Sequence, residues 1–110
     1  MITIIETMQF ISKAKSLMTD AEREHVIDFI ADHPEAGDVM PRTGGVRKLR
    51  FAAKGRGKSG GYRVIYYFYN DKNPILLFTV YSKNEKSDLT RDEETALYKI
   101  VQKIKKEMKP

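Results

Sequence analysis

The sequence predicts an α+β domain in which an antiparallel sheet carries two helices before its central strands and one helix after them, in the order β-α-α-β-β-β-α. Three observations predict it. Apolar residues recur at helical spacing on both sides of a central stretch that alternates every second residue; Gly and Pro punctuate the changes of period; and two Thr-x-x-Glu sequences mark helix starts. At 110 residues the chain is read as one domain, 1–110, with no linker, internal repeat or low-complexity segment to divide it.

Ile2 to Ile5 is short and β-branched and opens the domain as a strand. Phe10, Ala14 and Leu17 then fall on one helical face. Thr19 begins a capping box with Glu22, and Val26, Phe29 and Ile30 form the apolar stripe of a second helix from Ala21 to Asp32, ended by His33-Pro34 and Gly37. From Val46 to Ala53 the period changes to two, with Leu49 and Phe51 on one face and Lys48 and Arg50 on the other. A second strand, rich in aromatic and β-branched residues, runs from Tyr62 to about Tyr69. A turn at Asn70 to Pro74 leads into a third, Ile75 to Tyr81, so these strands form an antiparallel meander. Thr90 and Glu93 make the second capping box. Leu97, Ile100, Val101, Ile104 and Met108 give the closing helix its apolar face, and lysines gather at its C-terminal end.

Composition narrows the chemistry. Zero cysteines exclude disulfides, thiolate metal sites and a cysteine nucleophile. His25 and His33 have no metal-ligand spacing, so no metal or cofactor is expected and both read as surface or helix-end residues. The start M-I-T-I-I-E-T lacks the basic segment and cleavage site of a leader, and no apolar run approaches the roughly 20 residues of a membrane span. A cytoplasmic protein without membrane contact is expected.

The net charge of +5 is unevenly spread. Residues 1–38 hold three bases against eight acids, whereas residues 39–70 hold eight bases and no acid. That division points to one face aimed at a polyanion, most often nucleic acid. Within the basic part, Ala52 to Ser59 fits a relaxed Walker A pattern, and Gly55, Gly57 and Gly60 spell G-x-G-x-x-G. Both patterns require a helix after the loop, because helix N-terminal amides hold the phosphate. The residues that follow, Y-R-V-I-Y-Y-F-Y, form a strand instead. The stretch therefore reads as a basic hairpin loop carrying Lys54, Arg56 and Lys58, either gripping a partner or simply keeping an edge soluble.

G-D-V from Gly37, G-G-V-R-K-L-R from Gly44, K-G-R-G-K-S-G-G-Y-R-V-I-Y-Y-F from Lys54 and Y-S-K-N-E-K-S-D-L-T from Tyr81, taken in this order, resemble the RelE/HigB branch of bacterial type II toxins. The resemblance is densest from about Gly37 to Asp92 and implies a RelE-like fold. It implies a toxin that acts as a ribosome-dependent mRNA endoribonuclease. The implied partners are the ribosome and its messenger and a cognate antitoxin with a helix-turn-helix domain, through which alone operator DNA is reached. A non-catalytic binder, either a ParE-like gyrase-directed relative or an RNA-binding module, is the competing reading.

Carried over by position, the resemblance puts the Lys-x-Lys of the RelE pattern on Lys48 and Arg50 and the arginine of its G-Y-R strand on Arg63. Lys83 keeps its place in the following segment. Asn84 stands where that pattern has an arginine, and Thr90 where it has a tyrosine, which leaves the general acid and base open. The chemistry is compatible with such a set. RNA is cut without metal when its own 2′-hydroxyl attacks the neighbouring phosphorus and cations neutralise the phosphorane. Arg63, Lys83, Lys48 and Arg50 are therefore the expected catalytic cluster, and Arg47, Lys54, Arg56, Lys58 and Lys86 the expected contacts to messenger or ribosomal RNA backbone. The tyrosines Tyr62, Tyr66, Tyr67, Tyr69 and Tyr81 read mainly as sheet core, with base stacking as the alternative.

Overall fold

A computed structural model of the chain describes residues 2–52 and 61–110. The chain runs β1 (Ile4–Glu6), α1 (Met8–Leu17), α2 (Asp20–Asp32), β2 (Asp38–Val39), β3 (Arg47–Ala52), β4 (Gly61–Tyr67), β5 (Ile75–Ser82) and α3 (Arg91–Lys105). The strands form one sheet in the order β1-β5-β4-β3-β2. The predicted α+β domain and its antiparallel β3-β4-β5 meander are both present.

Each helix starts where a threonine holds a free amide. Thr19 Oγ1 accepts from the Glu22 N–H at 3.1 Å while Glu22 Oε1 accepts from the Thr19 N–H at 2.9 Å, and Thr90 with Glu93 repeats the exchange at 3.1 and 2.8 Å. At α1 the cap is Thr7. Its hydroxyl accepts from the Phe10 N–H and donates to the Phe78 carbonyl at 2.8 Å, which fastens the helix start to β5. The closing helix ends at Lys105 in a turn, shorter than its apolar stripe predicted, and Ile100 of that stripe is exposed.

The sheet is mixed rather than wholly antiparallel. The three-residue β1 pairs in parallel with β5, Ile4 opposite Ile75 and Glu6 opposite Leu77. A parallel neighbour needs a long connection, and the helices and strands lying between β1 and β5 supply one. The short β2 extends the other edge, Asp38 opposite Lys48. It carries no apolar alternation because both its residues are exposed.

Alternation then sorts the side chains into two faces. Tyr62, Val64 and Tyr66 of β4 and Ile75, Leu77 and Val80 of β5 meet Phe10, Ala14, Val26 and Ile30 of the two N-terminal helices. Ile65, Tyr67, Phe78 and Tyr81 on the other face meet Val46 and Val101. Each fully buried large apolar side chain here contributes about 1.5–3 kcal/mol. A bulge at Phe78, where Ile65 pairs with Thr79 but Tyr66 with Leu77, lets β5 serve both faces.

Two clasps hold the connections around β2. Tyr66 is fully buried, and its hydroxyl accepts from the Gly37 N–H at 2.9 Å and donates to the Pro34 carbonyl at 2.8 Å. Position 37 must be glycine for this approach, since a Cβ there would lie 2.9 Å from the Tyr66 ring. On the far side of β2, Arg42 takes a left-handed backbone at φ 66° and grips Glu94 of α3 through two hydrogen bonds of 3.0 and 3.2 Å. Replacing Tyr66 by Phe leaves the Gly37 amide and the Pro34 carbonyl unpaired and is expected to cost about 2 kcal/mol in denaturant unfolding. An unchanged midpoint would contradict this clasp.

Candidate active site

The register of the meander decides which cations meet. Arg50 lies directly opposite Arg63, Arg63 directly opposite Tyr81, and Lys48 two residues before Arg50 on the same face. Side chains directly opposite one another stand about 4.5–5.5 Å apart at their Cβ atoms. The three expected cations Lys48, Arg50 and Arg63 thus line one cleft of about 410 Å³, with Asp38, Leu49 and Ser87 among its other walls. Like charges placed directly opposite repel, so Arg50 and Arg63 require an anion or solvent between them.

Arg63 is the unusual member. Only 9% of it is exposed, and its Nη1 is buried without a hydrogen-bond partner among the described residues. Arg50 is exposed, and among the described residues neither it nor Lys83 enters an ion pair. Lys83 follows β5 directly, its N–H donating to the Gly61 carbonyl at 3.1 Å. Tyr81 is 1% exposed, and its hydroxyl is likewise buried and unpartnered.

The loop from Lys83 to Thr90 closes one side of the cleft through two ion pairs. Lys48 Nζ lies 3.2 Å from Asp88 Oδ1, and Lys86 Nζ lies 2.6 Å from Glu93 Oε2 while standing 5.2 Å from the centre of the Tyr81 ring. Glu93 therefore serves twice, as the third residue of the α3 capping box and as the partner of Lys86. Sequence reasoning missed Asp88 and Glu93 as partners in the site; it read Tyr81 mainly as sheet core, which its place in the apolar cluster bears out, but did not foresee its unpartnered hydroxyl. The Lys86–Glu93 pair had a local signal, seven residues apart across a helix cap. The Lys48–Asp88 pair spans forty residues and had none.

Other expected contacts lie elsewhere. Arg47 is opposite Tyr66 on the reverse face, where its Nη1 donates to the carbonyls of Glu35 and Gly37 at 3.1 and 2.8 Å. Lys54, Arg56 and Lys58, with the loop that carries them, lie outside the described residues. His25 and His33 pack against Phe51 and Phe29, and among the described residues no group of three or more His, Asp or Glu could hold a metal ion. A larger hollow of about 480 Å³, between α2 and the end of β3, is lined mainly by apolar residues such as Ala21, Val26 and Phe51, away from the cationic cluster. Among the described residues no helix is long and apolar enough to cross a membrane.

The fold is that of a small α+β domain, and its cleft of three cations, in which Arg63 Nη1 has no hydrogen-bond partner among the described residues, has the charge to suit an anionic group. The chain matches the family described as RelE toxin of the RelE / RelB toxin-antitoxin system over residues 4–109, and it belongs to that family. It is accordingly a toxin of a toxin-antitoxin system, with a cognate antitoxin as its partner.

The ion pairs give the site an acid limit. The Asp88 carboxyl is held below its ordinary range by the Leu89 N–H and then by Lys48, and that of Glu93 by Lys86 and then by the Thr90 N–H. With folded pKa values depressed, their contribution is complete above the ordinary carboxylate pKa of about 4 and is lost as pH falls through the folded values. Both pairs reach solvent, so each contributes at most about 1 kcal/mol. The double variant D88N/E93Q, which keeps a capping side chain at position 93, is expected to flatten the acid limb of the stability–pH curve. An acid limb identical to that of the wild type would contradict these pairs.

Proposed function

We propose that the chain is a HigB-like, ribosome-dependent mRNA endoribonuclease that stops translation in the cytoplasm and is held inactive by an antitoxin carrying a helix-turn-helix domain. One observation carries this reading: the buried, unpartnered Nη1 of Arg63 in a cleft shared with Lys48 and Arg50. A buried charge without a counter-charge is costly, and a phosphodiester supplies that counter-charge together with acceptors for the guanidinium. Membership of the RelE family supports the same reading.

In the proposed reaction the 2′-oxygen of the messenger attacks the adjacent phosphorus and the bond to the 5′-oxygen breaks. The 2′-proton passes to a base and the 5′-oxygen takes up a proton, leaving a 2′,3′-cyclic phosphate and a 5′-hydroxyl. Arg63 neutralises the charge that builds on the phosphorane, and Lys48 and Arg50 complete the cationic wall. Lys83, at the end of β5 and without an ion pair among the described residues, takes part in proton transfer or charge neutralisation. A predominantly cationic donor set suits this route, in which no metal is required. Lys86, Lys54, Arg56 and Lys58 hold messenger or ribosomal RNA backbone, and Lys86 must first leave Glu93 to do so; Arg47, expected among them, is engaged instead at the Gly37 clasp on the reverse face.

Purified protein added to a translation extract is expected to cut messenger on ribosomes, in the presence of EDTA, while leaving free RNA largely intact. R63A is expected to lower that cleavage by at least about 100-fold, the loss that follows removal of one donor to a transition-state oxyanion. Undiminished growth arrest by a folded R63A protein would argue for binding alone and against the nuclease.

A further inference from the structure

The ring of Tyr81 is accounted for by the apolar cluster around Val101, but its hydroxyl is not. Of the three other buried tyrosines, Tyr62 and Tyr66 have bonded hydroxyls, and that of Tyr67 is not among the buried unpartnered atoms. Tyr62 donates to the Leu17 carbonyl at 2.6 Å, and Tyr66 is held between Pro34 and Gly37. A hydroxyl withdrawn from water and left without a partner destabilises the fold, and phenylalanine would fill the same space without that cost.

Its surroundings supply the reason. Tyr81 lies directly opposite Arg63 across β4 and β5, on the face that carries Arg50. The two buried donors of this face, the phenol and Arg63 Nη1, are both unpartnered and so do not bond to each other. A guanidinium and a neutral hydroxyl thus face each other across the strand pair, neither with a hydrogen-bond partner among the described residues. Lys86 lies above the Tyr81 ring, and the charged groups that act on the phenol are Asp88, Arg63 and Glu93.

We infer that Tyr81 is a further catalytic residue of the proposed RNA-cleaving site, its hydroxyl donating to an oxygen of the same scissile phosphate that Arg63 neutralises. This rests on the nuclease reading. Burial pushes the phenol up to about 12, with Asp88 and Glu93 adding to the shift and Arg63 opposing it. It therefore stays protonated at neutral pH and keeps a proton to donate. The hydrogen bond strengthens as charge builds on the phosphorane oxygen, which is the condition under which a contact accelerates a reaction. The phosphate reaches it when its oxygens replace Asp88 and Glu93 on Lys48 and Lys86, both partly solvent-exposed pairs of low intrinsic strength.

The test is Y81F beside the wild type, on ribosomes programmed with a defined messenger. Cleavage at saturating ribosome is expected to slow by about 100-fold, with ribosome affinity within about twofold and Tm equal to or above that of the wild type. Wild-type cleavage by Y81F would overturn the assignment alone. Slow cleavage accompanied by a lower Tm or lost ribosome binding would overturn it too, by making Tyr81 a structural residue. A wild type that leaves the messenger intact would overturn the nuclease reading and this inference with it.

Discussion

The buried positive charge of Arg63, on the central strand of the sheet, is the constraint around which the rest of the structure is arranged. Burying a guanidinium costs several kcal/mol unless an anion meets it. Asp38 lines the same cleft but forms no ion pair among the described residues, and three further acids are committed elsewhere. Asp88 holds Lys48, Glu93 holds Lys86, and the buried Glu94 holds Arg42. Each of those pairings also positions a wall of the cleft or the helix beside it, so the same contacts that shape the site keep three acids from Arg63. The strand can carry that charge because it is paired on both sides, to β3 and β5, and cannot move to relieve it.

The two faces of the sheet divide the work. Beneath α1 and α2 the polar groups are largely satisfied, with Tyr62 and Tyr66 bonded to backbone carbonyls and each N-terminal helix capped by threonine. The opposite face is apolar where α3 crosses it, and the unpartnered Arg63 Nη1 and Tyr81 hydroxyl lie on that face. An unsatisfied atom does not by itself mark a site. Arg47 also has a buried, unpartnered Nε, but its Nη1 binds two backbone carbonyls at the Gly37 clasp, which is a structural task. What sets Arg63 apart is its place in a cleft shared with two further cations.

Much of the fold was legible in the sequence because its signals are local. The boxes at Thr19 and Thr90 need four residues each, and the alternation of Lys48, Leu49, Arg50 and Phe51 assigns faces within one strand. The parallel pairing of β1 with β5 was not legible, since three residues carry no register and their partner lies some seventy positions away. Nor was β2, whose two exposed residues show no pattern. The same distinction holds at the site. Lys48, Arg50 and Arg63 announced themselves by charge on alternating strands. Asp88 as the partner of Lys48, and Tyr81 as a hydroxyl without a partner, depend on distances that only the folded sheet creates.

If this cleft activates the messenger's own 2′-hydroxyl, as proposed, the chemical ends of the cut messenger show it most directly. Mass spectrometry of the fragments released on ribosomes should find a 2′,3′-cyclic phosphate on the upstream piece and a 5′-hydroxyl on the downstream piece. A 3′-hydroxyl facing a 5′-phosphate would mean that water attacked the phosphorus, and would contradict the mechanism built on Arg63.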